Sequence, residues 1–253
     1  MKKWTLLALL LAFRPLLALE FEESKADSSP KTASKNGGSE SSLPRLLDAG
    51  DVPTAYTLLK NEVRVDERFF PGGGLLSKVN LGIFSRLMLG GALDVPGLVS
   101  AGPVTLQRED ASLLVRLLAL PEDEQLPAIS LGWDGPAYGP GELRGLYLSL
   151  SKEFGTPLGF FQVHGGLNTS NVDNGWQINR DLRGSAALTS SFRQATGFFE
   201  ADEIGNAAGP RLNGGLRVFF DPISLGLEFH DVGATRNGAP SWRVLRASYT
   251  GLF

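Results

Sequence analysis

From about residue 55 to its end, the chain repeats short segments in which apolar residues alternate with polar or small ones. In the segment 224–230, for example, Leu225, Leu227 and Phe229 alternate with Gly226 and Glu228. Successive side chains of a β-strand point to opposite faces, so each segment is typical of a strand with one apolar and one polar face. No stretch beyond the first twenty residues keeps a helical period. The alternation therefore predicts an all-β fold.

Turn-forming residues separate these segments at regular intervals, which divides the chain into about twelve strands. An even number of strands is typical of bacterial single-chain barrels of the outer membrane. The predicted strands are 55–70, 75–83, 87–94, 112–120, 126–133, 143–154, 158–168, 183–192, 196–204, 211–220, 223–232 and 242–253.

The connections between these segments alternate in length. Outer-membrane barrels have short periplasmic turns and longer loops at the opposite end. The expected short turns are 84–86, 121–125, 155–157, 193–195 and 221–222. The expected outer connections are 71–74, 95–111, 134–142, 169–182, 205–210 and 233–241, and all but 71–74 are longer than every short turn. A soluble sandwich has no reason to alternate in this way, so we predict a transmembrane antiparallel β-barrel of about twelve strands.

The first residues have the layout of a secretory signal peptide. Lys2 and Lys3 precede an apolar run over 4–13, Ala18 offers a small residue for cleavage, and acidic sequence begins at Glu20. Arg14 interrupts the apolar run before it reaches the roughly twenty residues of a membrane span. The chain that follows, 22–42, lacks large apolar residues and is typical of a disordered segment.

We therefore predict a signal peptide over 1–18, a disordered linker over 19–45 and an outer-membrane barrel over 46–253. The barrel's first expected partner is outer-membrane lipid. Tyr249, Gly251 and the terminal Phe253 share one face of the last strand. This ending resembles the C-terminal signal that the barrel assembly machinery reads, so that machinery is a second expected partner.

Composition excludes several classes of function. A net charge of −3 argues against a nucleic-acid binder, which would carry a basic surface. The chain has no cysteine, which excludes disulfides and thiolate metal sites. The sequence contains no zinc motif, phosphate-binding glycine loop or nucleotide fingerprint, so we predict neither a metal nor a cofactor.

The polar faces of the strands are expected to line the barrel interior. On the lipid face near the bilayer centre, an Arg or Lys would cost about 2–4 kcal/mol. The predicted lumen-lining residues are Lys60, Glu62, Arg64, Asp66, Arg68, Lys78, Arg116, His164, Glu200, Asp202, Arg217, Glu228, His230 and Arg246. These charges could form a mixed-charge pore or brace the lumen with ion pairs. We favour bracing, because a barrel of this size has limited lumen and buried charges are normally paired.

Aromatic residues near the predicted strand ends suit an interfacial girdle. They are Trp133, Tyr138, Trp176, Trp242, Tyr249 and Phe253.

An enzyme reading has to start from His164 and His230, the only histidines. Some outer-membrane hydrolases use a Ser/His pair with an Asn near the membrane edge, but His164 lacks their His-x-Ser-Asn spacing and its position in the alternation points it inward. We therefore predict no catalytic residue. The alternatives are a lipid hydrolase centred on His164 and a soluble periplasmic β-protein that binds lipid or glycan.

The segments 50–55 (GDVPTA) and 60–64 (KNEVR) resemble the opening of YjbH-like outer-membrane barrels. The resemblance implies an outer-membrane barrel with a role in exopolysaccharide production or export. Together, these observations predict a non-enzymatic barrel that is a narrow channel, an envelope export component or a structural protein.

Overall fold

The computed structural model describes residues 45–98, 111–135, 145–157, 159–169, 182–233 and 241–253. These residues form one closed, twelve-stranded antiparallel barrel, so the predicted all-β barrel fold is confirmed. Within the same ranges, no helix has the length and apolarity needed to cross a bilayer. The predicted signal peptide and all but the last residue of the predicted linker lie outside the described residues.

Each strand pairs with its neighbours in the chain, and β1 pairs with β12 to close the ring. The β1–β12 register joins Glu62 to Leu252 and Phe69 to Leu245. The strands are β1 Glu62–Phe69, β2 Leu75–Phe84, β3 Leu87–Val95, β4 Ala111–Leu120, β5 Ala128–Asp134, β6 Gly145–Thr156, β7 Gly159–Thr169, β8 Leu182–Phe192, β9 Ala195–Ile204, β10 Arg211–Phe220, β11 Ile223–His230 and β12 Trp242–Leu252.

The sequence-based boundaries of β2 to β12 agree with the structure to within two residues, but the first strand was predicted wrongly. Alternation suggested that it spans 55–70, whereas β1 begins at Glu62. Asn61 has a positive φ of 64°, which turns the chain immediately before the strand. Residues 46–58, which precede this turn, lie inside the barrel and not in its wall.

The two ends of the barrel differ in the length of their connections. At one end, called the turn end, the connections are 85–86, 121–127, 157–158, 193–194 and 221–222. At the other, the loop end, they are 70–74, 96–110, 135–144, 170–181, 205–210 and 231–241. The predicted alternation holds, except that 121–127 is longer than 70–74 and 205–210.

That long turn is held by hydrogen bonds to Asp123. Its Oδ1 accepts hydrogen bonds from the backbone N–H of Leu126 at 2.7 Å and of Gln125 at 2.8 Å. These bonds lower the pKa of the Asp123 carboxyl. The ammonium group of Lys152 donates to the Asp123 carbonyl, which joins the turn to β6.

The wall has an apolar outer face and a polar inner face. Large apolar side chains on the strands are exposed outward, among them Val79, Leu113, Leu131, Leu146, Val163, Leu188, Phe199, Leu216, Leu225 and Leu245. The residues that alternate with them are buried and mostly polar. The core of this fold therefore lies in the lumen.

The aromatic residues do not all lie where an interfacial girdle requires. Trp133 and Tyr249 lie on the outer face, and Tyr138 and Trp176 lie outside the described residues. Trp242 pairs with His230 across β11 and β12 and therefore shares its inward face. Its ring stacks on His230 with the centroids 4.4 Å apart, so Trp242 packs in the lumen.

Residues 46–58 fold into the lumen as a short hairpin, called here the hairpin. Its two arms are joined by backbone hydrogen bonds from Ala49 to Val52 and from Thr54 to Leu47, both 2.9 Å long. All its residues except Thr57 are buried. Alternation alone did not indicate this element.

The hairpin is joined to β1 through a close contact with β2 at the turn end. The N–H of Asn61 donates to the Gly82 carbonyl at 2.8 Å. A Cβ atom added to Gly82 would lie 1.8 Å from the Leu59 carbonyl oxygen. Only glycine lets the two backbones approach this closely.

We predict that Gly82→Ala destabilises the barrel by about 1–3 kcal/mol, because backbone has to move to admit the methyl group. The measurement is the temperature at which the folded band disappears on semi-native electrophoresis. Gly155→Ala is the matched control, since a Cβ at that position meets nothing within 4 Å. Equal midpoints for the two variants would contradict the contact.

Candidate functional site

The tip of the hairpin is bound through its backbone N–H groups by one carboxylate of the wall. Glu200 on β9 accepts hydrogen bonds from the N–H of Gly50 at 2.8 Å, Asp51 at 2.7 Å and Val52 at 3.0 Å. Asn213 on β10 donates to the same carboxylate at 2.8 Å and holds it in place. Three successive N–H groups thus converge on one anion, as they do in backbone anion nests.

Two guanidinium groups bind the carbonyl groups of the same tip. Arg217 on β10 donates to the carbonyls of Asp48, at 2.9 Å, and Ala49. Arg68 on β1 donates to the Gly50 carbonyl at 2.7 Å. The polar backbone groups that the hairpin carries into the lumen are therefore paired with the wall.

Arg116 on β4 holds the two arms of the hairpin together. Its Nη1 donates to the carbonyls of Leu47 at 2.8 Å and Tyr56 at 3.0 Å, one on each arm. Its Nε donates to the Tyr147 hydroxyl at 2.7 Å, which orients the guanidinium.

The side chain of Asp48 lies in a group of cations. Arg116 is 3.1 Å from Oδ1, and Arg246, Lys78 and Arg68 lie 3.8 to 3.9 Å from Oδ2. An unpaired cation buried in this way would be costly. The Asp48 carboxylate therefore provides the opposite charge for four wall cations that converge on it.

Asp51 makes a second set of contacts nearer the loop end. Its carboxylate lies 3.1 Å from the Nη1 of Arg68, 3.1 Å from the Nδ1 of His230 and 3.1 Å from the Nδ2 of Asn213. Arg211 lies 4.0 Å away. The Asp51 side chain is fully buried, so these partners replace its hydration.

The wall also pairs many of its own charges. Glu228 lies 2.9 Å from Arg217, 3.3 Å from His230 and 3.4 Å from Arg246. Arg246 also contacts Asp66, to which Ser248 donates a hydrogen bond at 3.1 Å. This network spans β12, β1, β10 and β11 and braces one side of the lumen.

His164 lies under the arm of the hairpin that leads to β1. The Ser151 Oγ is 2.8 Å from its Nδ1 and accepts the N–H of Ala55 at 2.8 Å. The Tyr56 ring meets the imidazole edge-on, with the centroids 6.1 Å apart. Both Ser151 and His164 are about 1% exposed, so this Ser/His pair joins the hairpin to the wall and faces away from lipid.

The structure places most of the predicted lumen-lining residues on the inward face, where they are at most 5% exposed: Arg64, Asp66, Arg68, Lys78, Arg116, His164, Glu200, Asp202, Arg217, Glu228, His230 and Arg246. Two residues at the start of the series differ. Lys60 is exposed in the turn before β1 and does not line the lumen, because the strand begins only at Glu62. Glu62 is half-buried at the turn end, where it accepts the Leu59 N–H at 2.8 Å.

Sequence reasoning missed the residues that fill the lumen, above all Asp48 and Asp51. One signal was available. Asp48-Ala49-Gly50-Asp51 is a run of turn-forming residues, and apolar residues flank it in a segment too apolar to belong to the preceding polar tail.

A cavity of about 500 Å³ remains at the turn end. The residues around it include Arg64 on β1, Phe219 on β10, Ser224 on β11 and Thr250 on β12. The Arg246–Asp66 pair and the Arg217–Glu228 pair lie further inside on the same strands. Among the described residues, no group of three or more Asp, Glu or His side chains is placed to hold a metal ion.

Comparisons with known proteins show the fold and leave the function open. A solved structure described as "KdgM porin" matches with a TM-score of 0.51 and 10% identity, over 74% of this chain and 98% of that one. A "NanC porin" structure matches with a TM-score of 0.41 and 11% identity, over 76% and 99%. No family model and no curated protein matches the sequence. The similarity to YjbH-like barrels is therefore not shown.

We predict that Glu200→Ala loosens the tip of the hairpin, because three buried N–H groups lose their shared acceptor and each unsatisfied donor costs about 1–3 kcal/mol. Hydrogen exchange should show faster exchange of the amides of residues 50–52. Glu153→Ala is the matched control, since Glu153 is a wall carboxylate that accepts from Gln162 on the neighbouring strand. Unchanged exchange in Glu200→Ala would contradict the assigned contact.

Proposed function

We propose that this chain is a non-enzymatic outer-membrane barrel that forms a narrow channel for small polar solutes, and that the hairpin closes the channel in the conformation described. The observation that carries the proposal is the two-sided wall, which closes into a ring around a charged lumen. The name of the similar KdgM porin structure supports the same reading.

The outer face supports placement in a membrane. Leu113 is 63% exposed, Leu245 60% and Phe199 56%, and each lies on a strand whose opposite face is buried. A soluble barrel would leave this continuous apolar surface in water, which monomeric proteins rarely do. In a bilayer the same surface faces lipid.

The number of strands supports a lumen that could conduct. Barrels of about eight strands are filled by their own side chains, whereas barrels of about sixteen to eighteen strands leave an aqueous channel. Twelve strands lie between these limits, and here an additional segment fills the interior. Buried residues of the hairpin, among them Ala49 and Val52, occupy the lumen together with the side chains of the wall.

The orientation follows from the connections. Short turns are periplasmic in outer-membrane barrels, so we place the turn end on the periplasmic side. Export through a signal peptide and recognition by the barrel assembly machinery, both expected from the sequence, belong to the same proposal.

A structural role is the second candidate, favoured by the ion pairs that brace the lumen around Arg217, Glu228 and Arg246. An export role is the finer possibility that the YjbH-like resemblance implies. The lipid-hydrolase alternative gains no support from the geometry, since Ser151 and His164 face the lumen beneath Ala55 and Tyr56.

We predict that the chain lacking residues 46–58 conducts ions steadily in a planar bilayer, while the intact chain conducts little, because the deletion removes the segment that fills the lumen. Heat-dependent migration on gels would verify that the deleted barrel is folded. A chain lacking residues of the polar tail, 25–37, is the matched control and should behave as the intact chain does. A folded deletion barrel without conductance would favour the structural role.

A further inference from the structure

The hairpin is held mainly by contacts that a separate peptide could make. Its tip is fixed through backbone N–H groups on Glu200 and carbonyls on Arg68 and Arg217. The buried apolar clusters that include it are small. Ala49 and Val52 pack on Ala187 and Phe198, for example, in a cluster of four residues.

The path of the chain allows the hairpin to leave the lumen without threading. Arg45 lies over the Tyr56 ring, with its guanidinium carbon 4.7 Å from the centroid, so the two arms run side by side. The arm that continues into β1 reaches the turn end at Asn61 and Gly82. The tip, with Asp51 near His230, is the part furthest from that end. Withdrawal toward the turn end would therefore move the hairpin as one piece.

The side chains that bind the hairpin are also positioned by partners in the wall. Glu200 accepts a hydrogen bond from Asn213, and Arg217 is paired with Glu228. Arg116 is held by the Tyr147 hydroxyl. These contacts are made within the wall and do not involve the hairpin, so they preorganise the binding groups, and preorganisation of this kind favours binding.

We propose that Glu200, Arg68, Arg116 and Arg217 form a peptide-binding site in the lumen, and that the hairpin is its tethered ligand. This inference rests on the proposed channel, in which release of the hairpin opens the lumen and rebinding closes it. The site takes an acidic peptide turn, bound by its backbone as well as by its carboxylates.

The contacts define what such a peptide must contain. Two carboxylates at the positions of Asp48 and Asp51 meet the wall cations. Glycine at position 50 fits without rearrangement, whereas an added Cβ would lie 2.6 Å from the Phe198 ring and 2.7 Å from the Glu200 carboxylate and would force both side chains to shift. The motif is therefore Asp-x-Gly-Asp in a tight turn.

The test uses the chain lacking residues 46–58 and a fluorescent synthetic peptide of residues 45–59. We expect the peptide to bind the folded barrel in a fluorescence anisotropy titration and to reduce its conductance when added at the turn end. The same peptide carrying Gly50→Ala is the matched control, and the methyl clash should weaken its binding by about tenfold or more.

Binding and conductance separate the two proposals. Equal binding of the two peptides, or no binding of either to a folded barrel, overturns the peptide site whether or not the barrel conducts. A folded barrel that binds the peptide with the expected preference but never conducts overturns the channel and supports the site.

A second measurement uses the full chain in case the deleted barrel does not fold. The chain has no native cysteine, so Ala49→Cys introduces a single thiol at a position that is fully buried. We expect maleimide to label it slowly but completely, and faster when excess wild-type peptide competes for the site. Gly155→Cys, at a position with open space around its Cβ, should label at once. A thiol at position 49 that stays unlabelled with and without peptide overturns the proposal.

Discussion

The pairing of β1 with β12 is the contact on which the rest of the structure depends. An open sheet would present unpaired N–H and C=O groups along both edge strands, and in a bilayer each such group costs several kcal/mol. Closure removes both edges and separates the chain into an outer face, where Leu216 and Leu225 are exposed, and an inner face, where Arg217 is buried.

Closure also determines what the lumen must contain. Charges kept off the outer face are concentrated inside, where they need partners of opposite sign. Glu228 and Asp66 pair with wall arginines, and Asp48 and Asp51 extend the pairing from a segment that belongs to no strand. The hairpin is thus both a filler of space and a supplier of charge. The polar backbone groups at its tip are hydrogen-bonded to the wall, so burying the hairpin does not leave them without partners.

Much of the barrel could be predicted from the sequence because strand alternation and turn chemistry are local. The ends of β10, Arg211–Phe220, follow from the residues within and beside it. The path of the chain before β1 could not be predicted in this way. Leu58-Leu59 and Lys60-Asn61 break the alternation, but this break does not show that the preceding segment lies in the lumen. That path depends on the turn at Asn61 and on its N–H bond to the Gly82 carbonyl of β2. Trp242 suits a girdle by its position near a strand end, but it lies four residues from Arg246 on β12 and shares that residue's inward face, as its register with His230 also shows.

The sequence by itself determined the fold class, the approximate strand positions and the face on which most charges lie. These features follow from the alternation of polar and apolar residues, which is visible in neighbouring positions of the chain. Only the tertiary structure decided what occupies the lumen. The contacts of Glu200 with residues 50–52 and of Arg217 with Asp48 join parts of the chain about 150 residues or more apart. Such contacts depend on where the closed wall brings each side chain, so they cannot be inferred from the local sequence around either partner.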